Sequence, residues 1–420
     1  MALSAAPNAP VRPLAIALAG LLALATAMGI GRFAFTPLLP MMLHDGLVDL
    51  PGASWLATAN YLGYWLGAMA CALQPALWRR WGRSALAHTA AVRAGLVATV
   101  LLTLAMALPL PALWPSARFL AGVASAFVFV YVSGWCLARL AALSAPALTG
   151  IIFVGPGLGI SASGLAAGAM VAQGVGATTG WAVFALLAAL LTAIAWPHLR
   201  GAVAAPAADD MHDAAPPRGT IAAFTLAYGL AGFGYIVTAT FLPVIARQAL
   251  PGSVWLDLFW PLFGLGVAIG ALMTLRVPAR IDRRHLLMAC YAMQAAGVLL
   301  SVWLPTLAGF AFGSLLLGLP FTAITLFAMQ EARRLRPHGT SALIGLLTAA
   351  YGLGQIAGPP MVAWLLARTR SPAEGFALAL ETAAAALLAG LAIYGLLARR
   401  QPLNAAECRP ADRAARGGGR

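Results

Sequence analysis

The chain has 420 residues, of which 61% are hydrophobic and 9% charged, against about 45–50% and about 25% in soluble domains, so a water-soluble globular fold is excluded. All 26 basic residues are arginine and only 12 residues are acidic, a net charge of +14. That excess would suggest nucleic acid, but the arginines lie in short polar breaks and a tail rather than on one face, and no nucleic-acid partner is expected. Cys71, Cys136, Cys290 and Cys408 include no Cys-x-x-Cys pair, so no disulfide framework, metal site or cofactor is expected.

A hydrocarbon core about 30 Å thick is crossed by about 17–25 mainly apolar residues rising about 1.5 Å each. Twelve stretches meet that condition: 14–43, 53–77, 86–108, 112–137, 149–171, 180–197, 220–246, 255–277, 286–306, 309–331, 341–367 and 375–398. The first follows Arg12 but is about twice as long as the apolar core of a signal peptide, and is expected to remain as the first span. Basic loops stay cytoplasmic. With the N-terminus inside, twenty arginines are cytoplasmic, only Arg247, Arg368 and Arg370 are external, and Arg32, Arg93 and Arg118 lie within spans. Both termini are therefore expected in the cytoplasm of a multi-pass protein of a bacterial inner membrane.

The segment 198–219, rich in Ala, Pro and Asp, is the one long polar interruption. It divides the chain into an N-terminal six-helix bundle (1–197), a cytoplasmic linker (198–219) and a C-terminal six-helix bundle with a basic tail (220–420). An offset of 203 residues aligns Gly29, Gly31, Leu39 and Pro40 with Gly232, Gly234, Leu242 and Pro243. It also aligns Leu62, Gly63, Gly67 and Ala68 with Leu265, Gly266, Gly270 and Ala271, and Gly155-Pro156 with Gly358-Pro359. An even number of spans per repeat makes the two halves parallel, related by an axis along the membrane normal.

Four stretches carry a closer likeness: GIGRFAFTPLLP at 29–40, ANYLGYWLGA at 59–68, RFLAGVASAFVFV at 118–130 and TAAYGLGQIAGPP at 348–360. With the twelve-span parallel repeat, they make the whole chain resemble a major facilitator superfamily transporter, in particular the bacterial YbfB/YjiJ-like branch. The resemblance implies an all-α membrane protein of two six-helix bundles. Its gating signature in the second loop survives as Arg80, Gly82 and Arg83, with Arg79 at the acidic position. The corresponding later loop keeps Asp282-Arg283, with His285 in place of Gly. Gating roles for Arg80, Arg83, Asp282 and Arg283 follow from the resemblance. Arg118-x-x-x-Gly122 resembles the motif linked to proton coupling, and Gly155-Pro156-Gly157-Leu158-Gly159 the antiporter motif.

Charges inside spans are costly, at least about 2.5–3.5 kcal/mol at the centre, and so are functional candidates. Arg32 lies about 18 residues into the first span, roughly 27 Å, too deep to reach the nearer headgroups. It is expected to bind a substrate anion or to gate. Arg93 is shallow enough to snorkel, and Arg118 opens a span that lines the cavity by resemblance. The first half has only two acids, Asp45 and Asp49, both outside its spans. Glu331 sits beside Arg333 and Arg334, where charge compensation is expected, and Glu381 is expected to be structural. Asn60 and Tyr64, four residues apart, share a helical face. Tyr235 is the repeat partner of Arg32, and Gln355 follows Tyr351 by one turn. The expected substrate site is Arg32, Asn60, Tyr64, Arg118, Tyr235 and Gln355.

These features predict a non-enzymatic, monomeric secondary transporter that works by alternating access. Its partners are membrane lipid and a small-molecule substrate, an organic anion, with or without a coupled proton. Proton-coupled efflux of a hydrophobic or cationic compound is the alternative, opposed by the lack of acids in the first-half spans. A polytopic membrane enzyme is a remote one, because the six histidines are scattered.

Overall fold

A computed structural model of the chain describes residues 12–81, 86–201, 218–253, 255–278, 281–336 and 340–400. Over these residues there is no strand, and the chain runs through twelve long helical units. They are α1 (Pro13–His44), α2 (Leu50–Arg80), α3 (His88–Ala105), α4 (Pro111–Ala142), α5 (Pro146–Ala172), α6 (Ala177–Ala195), α7 (Arg218–Ala249), α8 (Leu256–Thr274), α9 (Arg283–Trp303), α10 (Leu307–Leu335), α11 (Thr340–Leu366) and α12 (Pro372–Arg400). Each overlies one expected span. Ten carry an apolar window able to cross a membrane, and α2 and α11, with 31 and 27 residues, also have the length.

Helices are what a lipid solvent leaves available, since each backbone donor and acceptor must be paired inside the chain. Pro13, Pro111, Pro146 and Pro372 open α1, α4, α5 and α12, where a missing N–H costs nothing. Both first-half acids are spent on helix starts. Asp49 accepts a hydrogen bond from the Gly52 N–H (2.7 Å) in the first turn of α2, and Asp45 accepts from the first N–H of α6, at Ala177 (2.6 Å). The exposed Trp55, Trp81, Trp255, Trp303 and Trp364 lie near helix ends, as tryptophans do at headgroup level.

The repeat governs packing. A Cβ on Gly122 of α4 would strike the Asn60 carbonyl and the Tyr64 nitrogen of α2. On Gly318 of α10 it would strike the Phe263 carbonyl and the Val267 nitrogen of α8, 203 positions after the first pair. The α2/α4 and α8/α10 crossings are therefore equivalent. The expected match of Gly155-Pro156 with Gly358-Pro359 does not hold. Gly155 packs on Leu21 and Ala25, early in α1, whereas Gly358 packs on Ile236, far along α7. The cause is length: 62 residues separate Asn60 from Gly122 but 55 separate Phe263 from Gly318, so the fixed offset fails beyond the second helix of each half.

The halves meet along two seams. In the first, α5 lies on α8 with Gly157 against Ala268 and Gly264 against Ser161, and the Ser161 hydroxyl donates to Pro261 O (3.0 Å). In the second, Trp65 Nε1 of α2 donates to Ala349 O of α11 (2.9 Å). Between the seams, the Thr36 hydroxyl of α1 donates to Ala239 O of α7 (2.8 Å).

Backbone contact at Gly122 and Gly318 predicts that Gly122→Ala and Gly318→Ala each destabilise the chain by about 1–3 kcal/mol through overpacking. Gly345, in α11, has nothing within 4 Å of an added Cβ, so Gly345→Ala should stabilise by about 0.5–1 kcal/mol through helix propensity. Thermal unfolding of the purified variants in detergent checks the opposite signs.

Candidate functional site

The site begins with a break in α1. Residues Ala25–Arg32 form a π-helix, so that Phe33 N–H reaches back five residues to Met28 O (3.2 Å). Beyond it, Pro37 and Pro40 offer no N–H to the carbonyls four residues earlier. Thr36 N–H turns to Phe33 O (3.2 Å), which takes the usual donor away from Arg32 O. That carbonyl accepts instead from Arg118 Nη2 (3.1 Å), and Gly31 O accepts from Nη1 (3.3 Å). The Ser125 hydroxyl of α4 lies between Ala121 O of its own helix (2.7 Å) and Ala27 O of α1 (2.9 Å) and shares its proton between them. Thus α4 supplies the donors that the broken helix lacks.

The break turns the Arg32 side chain between the two halves. It is 2% exposed. Its guanidinium carbon lies 3.7 Å from the ring centroid of Tyr64, with Phe33 and Tyr61 at 5.4 and 5.6 Å, a cation–π environment. Across the interface, Arg32 Nη2 donates to Gln355 Oε1, and Gln355 Nε2 donates to the Tyr235 hydroxyl (2.7 Å). Gln355 so links the two repeat partners, Arg32 and Tyr235. Nearby, the Tyr61 hydroxyl bonds Thr240 Oγ1 (2.8 Å), a second contact between halves.

Of the six residues expected to form the substrate site, Arg32, Tyr64, Tyr235 and Gln355 form this direct cluster. Arg118 is committed to the α1 carbonyls, with its guanidinium 5.0 Å from the Phe35 ring, and Asn60 Nδ2 donates to Arg118 O (2.9 Å). These two hold the cluster in place rather than face into it. Thr240 was not expected, while Tyr61 and Tyr351, outside the expected six, stand beside or one turn from residues within it. Arg93 donates to Trp196 O (3.2 Å) and lies over the Trp196 ring at 4.8 Å, so it closes the end of α6.

Among the described residues, no ion pair involves Arg32 or Arg118. Both are buried, and the Nε of each lacks a hydrogen-bond partner. A buried guanidinium without a counter-charge is costly, and an anion is what offsets it.

The described carboxylates lie elsewhere. Glu331, 2% exposed, accepts from Arg334 Nε and Nη2 (2.9 and 2.7 Å), as charge compensation requires, and is 3.9 Å from Arg284 Nε. Glu381 is exposed on α12. Of the expected gating residues, Arg83 lies outside the described residues and Arg80 is exposed at the end of α2. Asp282 caps α9, accepting from Arg284 N–H (2.9 Å). Its ionic partner is Arg284 (Nη2 to Oδ2, 2.8 Å), while Arg283 donates to Pro278 O (3.3 Å). Arg284 was missed, although the buried stripe Leu287, Tyr291 and Gln294 of α9 points back to position 284.

Burial pushes the Asp282 carboxyl up, but hydrogen bonds and charge from Arg284 outweigh this and hold it below the usual carboxylate value of 3.8. Its stabilising effect is therefore present above that value and lost as pH falls through the lowered one. Asp282→Asn keeps the cap and removes the charge, and should cost about 1–3 kcal/mol at neutral pH. Asp282→Ala also removes the cap and should cost about 1 kcal/mol more. Thermal unfolding at neutral pH measures both steps.

No curated protein matches the chain significantly. Among solved structures, a point mutant of the nucleoside transporter NupG superposes with a TM-score of 0.69 at 15% identity, covering 91% of this chain and 99% of that one. A bacterial homologue of the human lysosomal transporter Spinster, inward-facing and unoccupied, gives a TM-score of 0.64 at 14% identity, covering 93% and 98%. At these identities the likeness concerns the fold. The family model described as "Uncharacterised MFS-type transporter YbfB" matches residues 24–394. With its twelve helices, its two six-helix repeats and a polar cluster between them, the chain belongs to this family of major facilitator transporters.

Proposed function

We propose that the chain carries a small organic anion across a bacterial inner membrane, by alternating access of its two six-helix bundles about Arg32. The observation that carries this reading is the buried Arg32 guanidinium, which meets a neutral amide and aromatic faces in place of a carboxylate. A substrate carboxylate would replace Gln355 Oε1 with a charge-assisted pair, the stronger kind of hydrogen bond. Gln355 then gives up its bond to the N-terminal half and keeps the one to Tyr235 within its own half. Efflux of a cation needs a counter-charge in the cavity. The one fully buried acid among the described residues, Glu331, is already held by Arg334.

If Arg32 grips the anion with its planar fork, Lys cannot reproduce the geometry. Arg32→Lys should weaken binding of organic acids at least about tenfold, and Arg32→Ala about a hundredfold or more. Arg93→Lys should change binding little, because Arg93 serves the end of α6. Ligand-induced thermal shifts of the purified protein, followed by uptake into proteoliposomes, measure this. Organic-acid binding that survives Arg32→Ala, or stronger shifts with cations, would remove the anion reading.

The orientation rests on the arginine distribution. A cysteine placed within 198–219 should react with an impermeant reagent only after cells are opened. Labelling from outside intact cells would reverse the topology.

A further inference from the structure

Five of the eight tyrosines lie over the cation, bond its partner Gln355 or stack behind these. Tyr61 and Tyr64 come from the N-terminal half, and Tyr228, Tyr235 and Tyr351 from the C-terminal half. Tyr351 is nearly parallel to Tyr235 (20°, centroids 5.8 Å apart) and tilted by 31° on Tyr228 at 4.8 Å. Tyr235 meets Phe321 edge-on at 5.1 Å. Tyr64 and Tyr351 are half-buried, whereas Arg32, Tyr61, Tyr228, Tyr235 and Gln355 are fully buried. Of these rings Tyr64 and Tyr351 are the partly exposed ones, so a ligand reaching the buried cation would pass them first. Tyr351 is one helical turn from Gln355, and Tyr64 lies on Arg32 itself, so one carboxylate and the body behind it would meet the guanidinium and the rings in turn.

Resting on the anion reading above, we infer that the substrate is an aromatic carboxylate: its carboxylate pairs with Arg32 in place of Gln355 Oε1, and its flat ring packs among Tyr64, Tyr351 and Tyr228. An aliphatic acid satisfies the cation equally well. It lacks the ring quadrupole that favours offset-stacked and edge-to-face contacts with tyrosine.

The test uses the full chain in detergent, with equilibrium binding of benzoate, phenylacetate, cyclohexanecarboxylate, propionate and benzamide at neutral pH. Benzoate or phenylacetate should bind about three- to tenfold more tightly than cyclohexanecarboxylate, the range that aromatic contacts supply, and benzamide at least about tenfold more weakly than benzoate. Tyr351→Leu should abolish the preference for the aromatic acid over cyclohexanecarboxylate, and Tyr351→Phe should keep it. Equal binding of the aromatic and saturated acids by the unaltered chain, or binding of propionate alone, overturns the aromatic inference and leaves the anion reading standing. Benzamide matching benzoate, or no binding by any of the acids, overturns both.

Discussion

The guanidinium of Arg118, bonded to the carbonyls of Gly31 and Arg32, is what permits α1 to be broken within an apolar solvent. Lipid offers a freed carbonyl no donor, so a break survives only where protein supplies one. Without Arg118 the carbonyls of Gly31 and Arg32 would lose these donors, and Thr36 N–H is already spent on Phe33 O. Asn60 positions Arg118 through its carbonyl, Arg118 positions Arg32, and Arg32 reaches Gln355 across the interface. The chain of dependence thus runs through α2, α4, α1 and α11.

The same device recurs at other arginines. Arg93 donates to Trp196 O just past α6, Arg284 to Leu397 O in the last turns of α12, and Arg283 to Pro278 O after α8. Each acceptor lies near a helix end, where the last carbonyls lack an intrahelical partner. A planar fork can serve a carbonyl and still stack on a ring or hold a carboxylate, as Arg93 does on Trp196 and Arg284 does with Asp282. An ammonium group does this less well. The acids are placed in a complementary way: Asp45, Asp49 and Asp282 sit at helix starts, where the dipole favours negative charge. Among the described residues no carboxylate pairs with Arg32 or Arg118, so the interior keeps its positive charge.

The spans, the two-fold repeat and the pairing of Arg32 with Tyr235 were legible because they are properties of spacing along one chain. Hydropathy over about 20 residues finds a helix in lipid, and a constant offset finds its repeat partner until the connecting lengths diverge. The Gly-Pro pairs at 155 and 358 fall beyond that point, so the same dipeptide sits early in α5 and late in α11. What a buried polar side chain faces was less legible, since it depends on neighbours from other helices. Asn60 and Tyr64 share a helical face, yet one bonds α4 and the other lies over Arg32. Arg283 and Arg284 are adjacent, and only the buried stripe of α9 distinguishes them. The role of Arg118 was hidden for a similar reason, because a conventional helix would leave it no carbonyls to bind.

The hydrogen bonds that join the halves are single bonds between uncharged groups, at Thr36, Tyr61, Trp65 and Ser161, together with the bond from Arg32 to an amide. Inside a membrane such bonds contribute about 0.6 kcal/mol each on average. Close glycine contacts along α5 and α8 and the Phe33 ring against Trp260 and Phe321 add apolar packing. An interface built this way can separate at modest cost, whereas one held by carboxylates on Arg32 would not. On the proposed reading, the missing carboxylate therefore does two things at once. It leaves the cation available to an incoming anion, and it keeps the empty carrier from being locked by an ion pair of its own.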